Sequence, residues 1–262
     1  MSSIADAFEN ARSEGRAALM PYLMGGFPDA DTAAAVADAY VDAGADLVEL
    51  GVPFSDPLAD GPVIHDAATR ALAGGANLEA VLRISERIAD RVPVVPMVYA
   101  NMALARGAES FAKALADAGA AGAIVPDLPP GEGSELAEAL QGSSLALVPL
   151  VAPTSSPERR RQIAEEAEGF VYVVSDTRTT GEREELPAGL GDLVAAVKDD
   201  SPVPVAVGFG IGTPEQAAAV GEIADGVIIG SRLVRAAGEA GSADEAARAV
   251  ASFVHDCREA MS

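Results

Sequence analysis

Residues 1–262 are expected to form a single-domain α/β protein, a (β/α)8 TIM barrel with an extra N-terminal helix. Three observations carry that expectation. Short apolar runs recur along the whole chain, they alternate with Ala-rich segments of helical period, and 262 residues suit one barrel around one core.

The opening segment places Ile4, Phe8 and Ala11 at i, i+4 and i+7, one face of a helix that could plug a barrel floor. Strand-like runs follow at Ala18-Leu23, Leu47-Leu50, Val92-Val98, Ala123-Val125, Leu145-Val151, Phe170-Val174, Val203-Val207 and Val227-Ile229. Each is apolar on both faces, as parallel strands covered inside and out require. Helical period lies between them, for example over Thr32 to Asp42, Ser110 to Ala118 and Pro214 to Ile223. Thr213-Pro214-Glu215-Gln216 combines a capping Thr, a Pro at the first helical position and a Gln that completes a capping box. Ser156-Pro157-Glu158 and Ser242-Ala243-Asp244-Glu245 carry related signals. No linker-like tract or close repeat divides the chain, although a doubly wound sheet would show the same alternation. A long connection, Gly51 to about Asn77, separates the second run from the next clear helix, and long connections in compact domains tend to be functional.

Composition excludes other classes. With 40 Asp+Glu against 18 Lys+Arg the net charge is −22, which rules out nucleic-acid binding through a basic surface. The chain is 49% hydrophobic but only 4% aromatic and has no Trp, so its core must consist mainly of Ala, Val, Leu and Ile. Cys257 stands alone and fits a reducing compartment. The first residues lack the pattern of a secretory signal, and no apolar run approaches the roughly 20 residues of a membrane helix. A cytoplasmic protein is expected. Lys113 and Lys198 are the only lysines, so the negative excess is spread along the chain. Self-repulsion of that size weakens the compact state at low salt and is relieved by screening. A salt-adapted protein is therefore expected, with a thermal melt that rises between low and molar KCl; an unshifted melt would leave an ordinary acidic surface as the better description.

Barrel chemistry sits at the C-terminal strand ends. Glu49 stands inside the strand Leu47-Val48-Glu49-Leu50, where a buried carboxylate is costly unless it is used or paired. An internal salt bridge is the alternative. Asp56 and Asp60 follow in a Pro- and Gly-rich segment, where turn formation competes with a chemical role. Gly208-Phe209-Gly210-Ile211-Gly212 after the seventh run and Gly230-Ser231 after the eighth lie where barrels bind phosphate, and glycines let backbone N–H groups approach an anion. Thr180-Gly181 could complete that cradle.

The run Leu47-Val48-Glu49-Leu50-Gly51-Val52-Pro53-Phe54-Ser55-Asp56-Pro57-Leu58-Ala59-Asp60-Gly61-Pro62 resembles the signature of the tryptophan synthase α subunit family. Tyr99-Ala100-Asn101, Asp127-Leu128-Pro129, Ala152-Pro153-Thr154, Tyr172-Val173-Val174-Ser175, Gly208-Phe209-Gly210-Ile211 and Gly230-Ser231 match in family order, from about Phe8 to Val234. The resemblance implies cleavage of indole-3-glycerol phosphate to indole and glyceraldehyde 3-phosphate, with no cofactor in this chain. It also implies a partner β subunit that contains PLP and receives the indole, in an α2β2 assembly. By resemblance, Glu49 and Asp60 are the catalytic carboxylates. Tyr22, Met97, Ile124, Tyr172 and Thr180 line the indole pocket, and Gly181, Phe209, Gly210, Gly230 and Ser231 bind phosphate. Pro53, Asp56 and Asn101 face the partner.

The residue inventory agrees with that chemistry. Retro-aldol cleavage needs an electron sink, and aldolases supply a Lys imine or a metal. Both lysines fall in expected helices, and His65 and His255 have no metal-ligand spacing around them. Protonation of indole C3 makes the substrate its own sink, with Glu49 moving the protons and anionic Asp60 stabilising the cation. Three departures from the family pattern stand out. Arg178 replaces a small residue in Ser175-Asp176-Thr177-Arg178-Thr179-Thr180-Gly181, a loop expected to act as a mobile lid. Tyr22 stands where Phe is common, and His65 where a polar amide is common. Competing readings are another phosphate-binding barrel enzyme, which should carry a strand-end Lys if it is an indole-glycerol-phosphate synthase, and a non-catalytic regulatory subunit, against which both carboxylates speak.

Overall fold

A computed structural model of the chain describes residues 3–58, 60–129, 132–165, 167–174, 187–208 and 210–262. Among these residues the strands are β1 (Ala18–Met24), β2 (Val48–Gly51), β3 (Val94–Met97), β4 (Gly122–Ile124), β5 (Ala146–Val148), β6 (Leu150–Val151), β7 (Val171–Val174), β8 (Val205–Gly208) and β9 (Gly226–Ile229). The helices are α1 (Ile4–Ser13), α2 (Ala30–Asp42), α3 (Pro62–Ala73), α4 (Leu78–Ile88), α5 (Ala100–Arg106), α6 (Ala108–Asp117), α7 (Ser134–Gly142), α8 (Pro157–Glu165), α9 (Leu190–Asp200), α10 (Pro214–Gly221), α11 (Ser231–Glu239) and α12 (Ala243–Ala260).

All strand pairs are parallel, in the order β5-β4-β3-β2-β1-β9-β8-β7-β6. This is a nearly closed barrel, and its two ends, β5 and β6, are successive pieces of one segment. The expected run Leu145-Val151 divides at Pro149, which has no N–H to donate to a ladder. Before the proline the chain pairs with β4 and after it with β7, so eight expected strands become nine.

Alternation along each strand sorts the core into layers. Leu19, Leu23, Val48, Leu50 and Val94 face the surrounding helices, whereas Ala18, Met20, Leu47, Val95, Ile124, Val148, Phe170, Ala206 and Ile228 fill the barrel. Helix α1 closes the floor, as its spacing predicts. Ile4, Ala7, Phe8 and Ala11 are buried in the interior cluster, and the Phe8 ring lies 5.7 Å from that of Phe170. Gly226 makes room for this plug, because a Cβ there would stand 2.8 Å from the Phe8 ring.

Helix starts carry the caps read from the sequence. Thr213 and Gln216 form a reciprocal capping box on α10, and Ser242 accepts the Glu245 N–H at 3.2 Å on α12. The connection expected to run as loop to Asn77 instead contains α3, which begins at Pro62 and buries Ile64, Ala67, Ala68 and Ala71. Its apolar face is made largely of alanine, a weak periodic signal.

Candidate active site

The upper layer of the barrel is built differently from the floor. Its inward positions are Tyr22 on β1, Glu49 and Gly51 on β2, Met97 on β3, Ile124 on β4, Tyr172 on β7 and Gly208 on β8. Tyr22 is the register partner of Glu49, and Met97 that of Ile124. Glycine is required at two of these positions. A Cβ on Gly51 would stand 2.0 Å from the Tyr22 hydroxyl, and one on Gly208 would stand 2.3 Å from the Tyr172 hydroxyl. Each tyrosine thus leans over a glycine of the next strand, two residues beyond its own level. Tyr40 of α2 fixes Tyr22 from behind by donating its hydroxyl to the Tyr22 carbonyl at 2.9 Å.

Glu49 is 1% exposed, and its Oε2 has no hydrogen-bond partner among the described residues. Burial, and then the nearby Asp60 charge, push its carboxyl up to about 8. Among the described residues, the internal salt bridge left open by the sequence is not made. Asp60 lies half-buried just before α3 and accepts a hydrogen bond from the Tyr99 hydroxyl at 3.1 Å. Burial raises the Asp60 carboxyl, while the Tyr99 bond and the His65 charge act in the opposite direction. Tyr99 is held in turn, since its ring stacks on Phe54 at 5.0 Å and its backbone caps α5. The Asp127 carboxylate accepts the Ala100 N–H at 2.8 Å and steadies the same helix start. The lysines lie on α6 and α9, paired with Asp117 and Asp225, and Lys198 borders a cavity near the barrel floor beside Phe8.

Across the mouth, Gly230 is the N-cap of α11, and Ser231 opens the helix with its side chain buried. The first N–H groups of a helix lack internal acceptors and favour an anion. In the loop after β8 the Gly212 N–H is already donated to Gln216 at 2.8 Å, and Gly210 precedes it in the same loop, half-buried. Thr180, Gly181 and Phe209 lie outside the described residues, as does the expected lid around Arg178. On the rim, Asp56 and Asn101 are exposed, Pro53 is buried, and the apolar side chains of Leu58 and Leu104 are 86% and 56% exposed.

Sequence reasoning singled out Tyr99 without linking it to Asp60, and it did not see that Gly51 and Gly208 house the two tyrosines. A glycine closing an otherwise apolar parallel strand was the available signal.

The fold and this mouth define a (β/α)8-barrel enzyme with two inequivalent carboxyls set opposite a helix start. Comparison with known proteins narrows the class. The family model for the tryptophan synthase alpha chain matches residues 8–262. The chain is 47% identical over 251 residues to the tryptophan synthase alpha chain of Synechococcus sp. strain CC9902, covering 95% of this chain and 93% of that one. It is likewise 47% identical over 236 residues to that of Carboxydothermus hydrogenoformans, covering 89% and 88%. A solved chain of Mycobacterium tuberculosis tryptophan synthase superposes with a TM-score of 0.91 at 37% identity, covering 100% of this chain and 99% of that one. The chain belongs to the tryptophan synthase alpha chain family.

Proposed function

We propose a mechanism for the carbon-carbon lyase reaction of this chain, cleavage of indole-3-glycerol phosphate to indole and glyceraldehyde 3-phosphate. The observation that carries it is the inequality of the two carboxyls: Glu49 is buried, its Oε2 has no partner among the described residues, and its carboxyl is pushed up to about 8, whereas Asp60 is held by a phenol donor and partly solvated. Substrate lies with its indole between Tyr22, Met97, Ile124 and Tyr172. Its phosphate rests on the amides of Gly210, Gly230 and Ser231, with Gly181, Phe209 and Thr180 assigned to the same cradle and pocket by family pattern.

Glu49 gives its proton to indole C3, forming an indolenine cation whose charge is shared with the ring nitrogen. The Asp60 anion accepts the ring N–H and stabilises that cation. The bond between C3 and the glyceryl chain then breaks, its electrons returning to the ring. The hydroxyl on the departing carbon becomes an aldehyde and passes its proton to the Glu49 carboxylate. Glu49 ends protonated, and no net proton is consumed. An imine route has no lysine at the mouth to use, and the step needs no cofactor from this chain.

Residues 1–262 act as one catalytic domain in the cytoplasm. The partner is a PLP-containing β subunit in an α2β2 assembly, docked on the rim that bears Pro53, Asp56 and Asn101. The exposed Leu58 and Leu104 give that rim apolar area to bury. The test is indole release by wild type and Asp60→Asn, each with and without a β subunit and with inorganic phosphate as competitor. Asp60→Asn is expected to lose roughly 100-fold in kcat while staying folded, as loss of an electrostatic stabiliser does, and phosphate should compete with substrate. A folded wild type that releases no indole even with the β subunit overturns the reading.

A further inference from the structure

Tyr99 stands at the N-cap of α5, a position that ordinarily carries Ser, Thr, Asp or Asn, because a short side-chain oxygen there accepts one of the first helical N–H groups. Tyr99 makes no such cap bond. Its hydroxyl is turned to Asp60 instead, to which it donates at 3.1 Å. The acceptor that the helix start lacks comes from the loop after β4. There Asp127 Oδ1, 27 residues beyond Ala100, accepts the Ala100 N–H at 2.8 Å.

That bond is placed where it controls Tyr99. The Ala100 N–H belongs to the planar peptide unit that leaves Tyr99, whose backbone is extended (φ −75°, ψ 141°), so the bond fixes the turn from β3 into the helix. On the other flank the Val98 N–H donates to the Ile124 carbonyl at 2.9 Å, one step beyond the Met97 and Ile124 register pair. The chain is thus held on both sides of Tyr99 by the segment that ends β4, and the Phe54 ring stacks on the Tyr99 ring at 5.0 Å. The holding segment is itself anchored. The Leu128 N–H closes a turn on the Val125 carbonyl at 3.2 Å, and the Leu128 side chain packs against the outer core. A hydroxyl at the tip of a long side chain moves far for a small backbone rotation, so these restraints decide whether it reaches Asp60.

We propose that Asp127 is a positioning residue for the reaction: by capping α5 from the neighbouring loop it holds the Tyr99 hydroxyl on Asp60, and so orients that carboxylate for the substrate. The proposal rests on the role given to Asp60 above, and Asp127 acts in it only through Tyr99. A carboxylate also suits a helix start, where the helix dipole favours negative charge. The division of labour explains why a residue as poor at capping as tyrosine occupies the N-cap. Burial raises the Asp60 carboxyl, and the Tyr99 bond opposes that rise. The titratable groups coupled to Asp60 are Tyr99 at the end of β3, His65 on α3, Glu49 on β2 and Tyr22 on β1. Of these, Asp127 bears on Tyr99.

The test compares Asp127→Ala, Asp127→Asn, Tyr99→Phe and the double variant Asp127→Ala/Tyr99→Phe. Two readouts are taken: the pH profile of kcat/KM, and the titration of the Asp60 carboxyl by 13C NMR without substrate, its signal identified by its loss in Asp60→Asn. Asp60 must be an anion, so activity falls as pH drops through its pKa, and loss of the Tyr99 donor raises that pKa. Asp127→Ala is expected to raise the Asp60 midpoint and the acid limb by about one unit, as Tyr99→Phe does, and to lower kcat about tenfold. Asp127→Asn keeps an acceptor for the Ala100 N–H and should stay within about twofold of the wild type. In the double variant the two shifts should not add, because both remove the same bond. A merely structural cap would lower the urea midpoint of Asp127→Ala and leave the Asp60 titration and the acid limb unmoved, which overturns the proposal. A double variant that shifts by the sum of the single variants also overturns it, since Asp127 would then act by a route other than Tyr99. Asp127→Leu, close in shape and without an acceptor, gives the same readouts if the alanine variant does not fold. If the wild type cleaves no substrate, the proposed reaction fails, and the Asp60 titration still decides the role of Asp127.

Discussion

Replacement of Glu49 by Gln is expected to lower kcat for indole release by about 1,000-fold, within the usual contribution of a positioned acid or base. The amide has the shape of the carboxyl but no acidic proton to give to C3 and no anionic oxygen to receive the hydroxyl proton. Both proton transfers are lost together. The fold should survive, because the side chain keeps its volume in a site already able to hold a neutral group. A variant keeping more than a tenth of wild-type turnover would sink the assignment.

Stability supplies a second reading of the same variant. The Glu49 carboxyl titrates at about 8 in the folded chain against 4.5 when free. Between those values the native protein holds a proton that the unfolded chain has lost, so this group's contribution to stability falls as pH rises from about 4.5 to 8. Below that window and above it the contribution is flat. Glu49→Gln removes the slope, and the variant should gain on the wild type by on the order of 4 kcal/mol between pH 5 and pH 8. Urea melts at the two pH values check this; parallel pH dependence in the two proteins would mean that Glu49 is charged in the native state.

The largest effect expected away from the chemistry is on the floor. Phe8→Ala should cost about 3–5 kcal/mol, the usual range for removing a buried aromatic ring. The ring fills a space bounded by Phe170 and by a glycine, Gly226, whose backbone cannot follow an absent side chain inward. Ile4, Ala7 and Ala11 hold α1 at a fixed depth, so collapse onto the void is limited. A loss below about 1 kcal/mol in a urea melt would show that α1 is a detachable cover and not part of the core.

Much of this architecture was legible in the chain. The strands of a parallel barrel are buried on both faces and read as continuous apolar runs, which is why Ala18-Leu23 and Phe170-Val174 stood out. Ile4, Phe8 and Ala11 announced the plug by spacing alone. Where the reading fell short, the cause was local. Pro149 interrupts a ladder without interrupting hydrophobicity, and α3 hides its apolar face in alanine. The site was legible in its polar exception, Glu49 within an apolar strand, and in the family pattern around Asp60. The bond from Tyr99 to Asp60 joins residues 39 apart with α3, α4 and β3 between them, so no periodicity along the chain could reveal it. The glycines under the tyrosines read as ordinary strand ends until the rings were placed above them.

The central claim is that Glu49 waits in the folded chain as a neutral acid. Titration of the Glu49 carboxyl in the substrate-free protein, by 13C NMR with the signal identified through Glu49→Gln, tests it most directly. The account predicts a midpoint of about 8. A midpoint near the ordinary glutamate value of 4.5 would mean an anion at neutral pH, unable to protonate indole C3, and would contradict the mechanism.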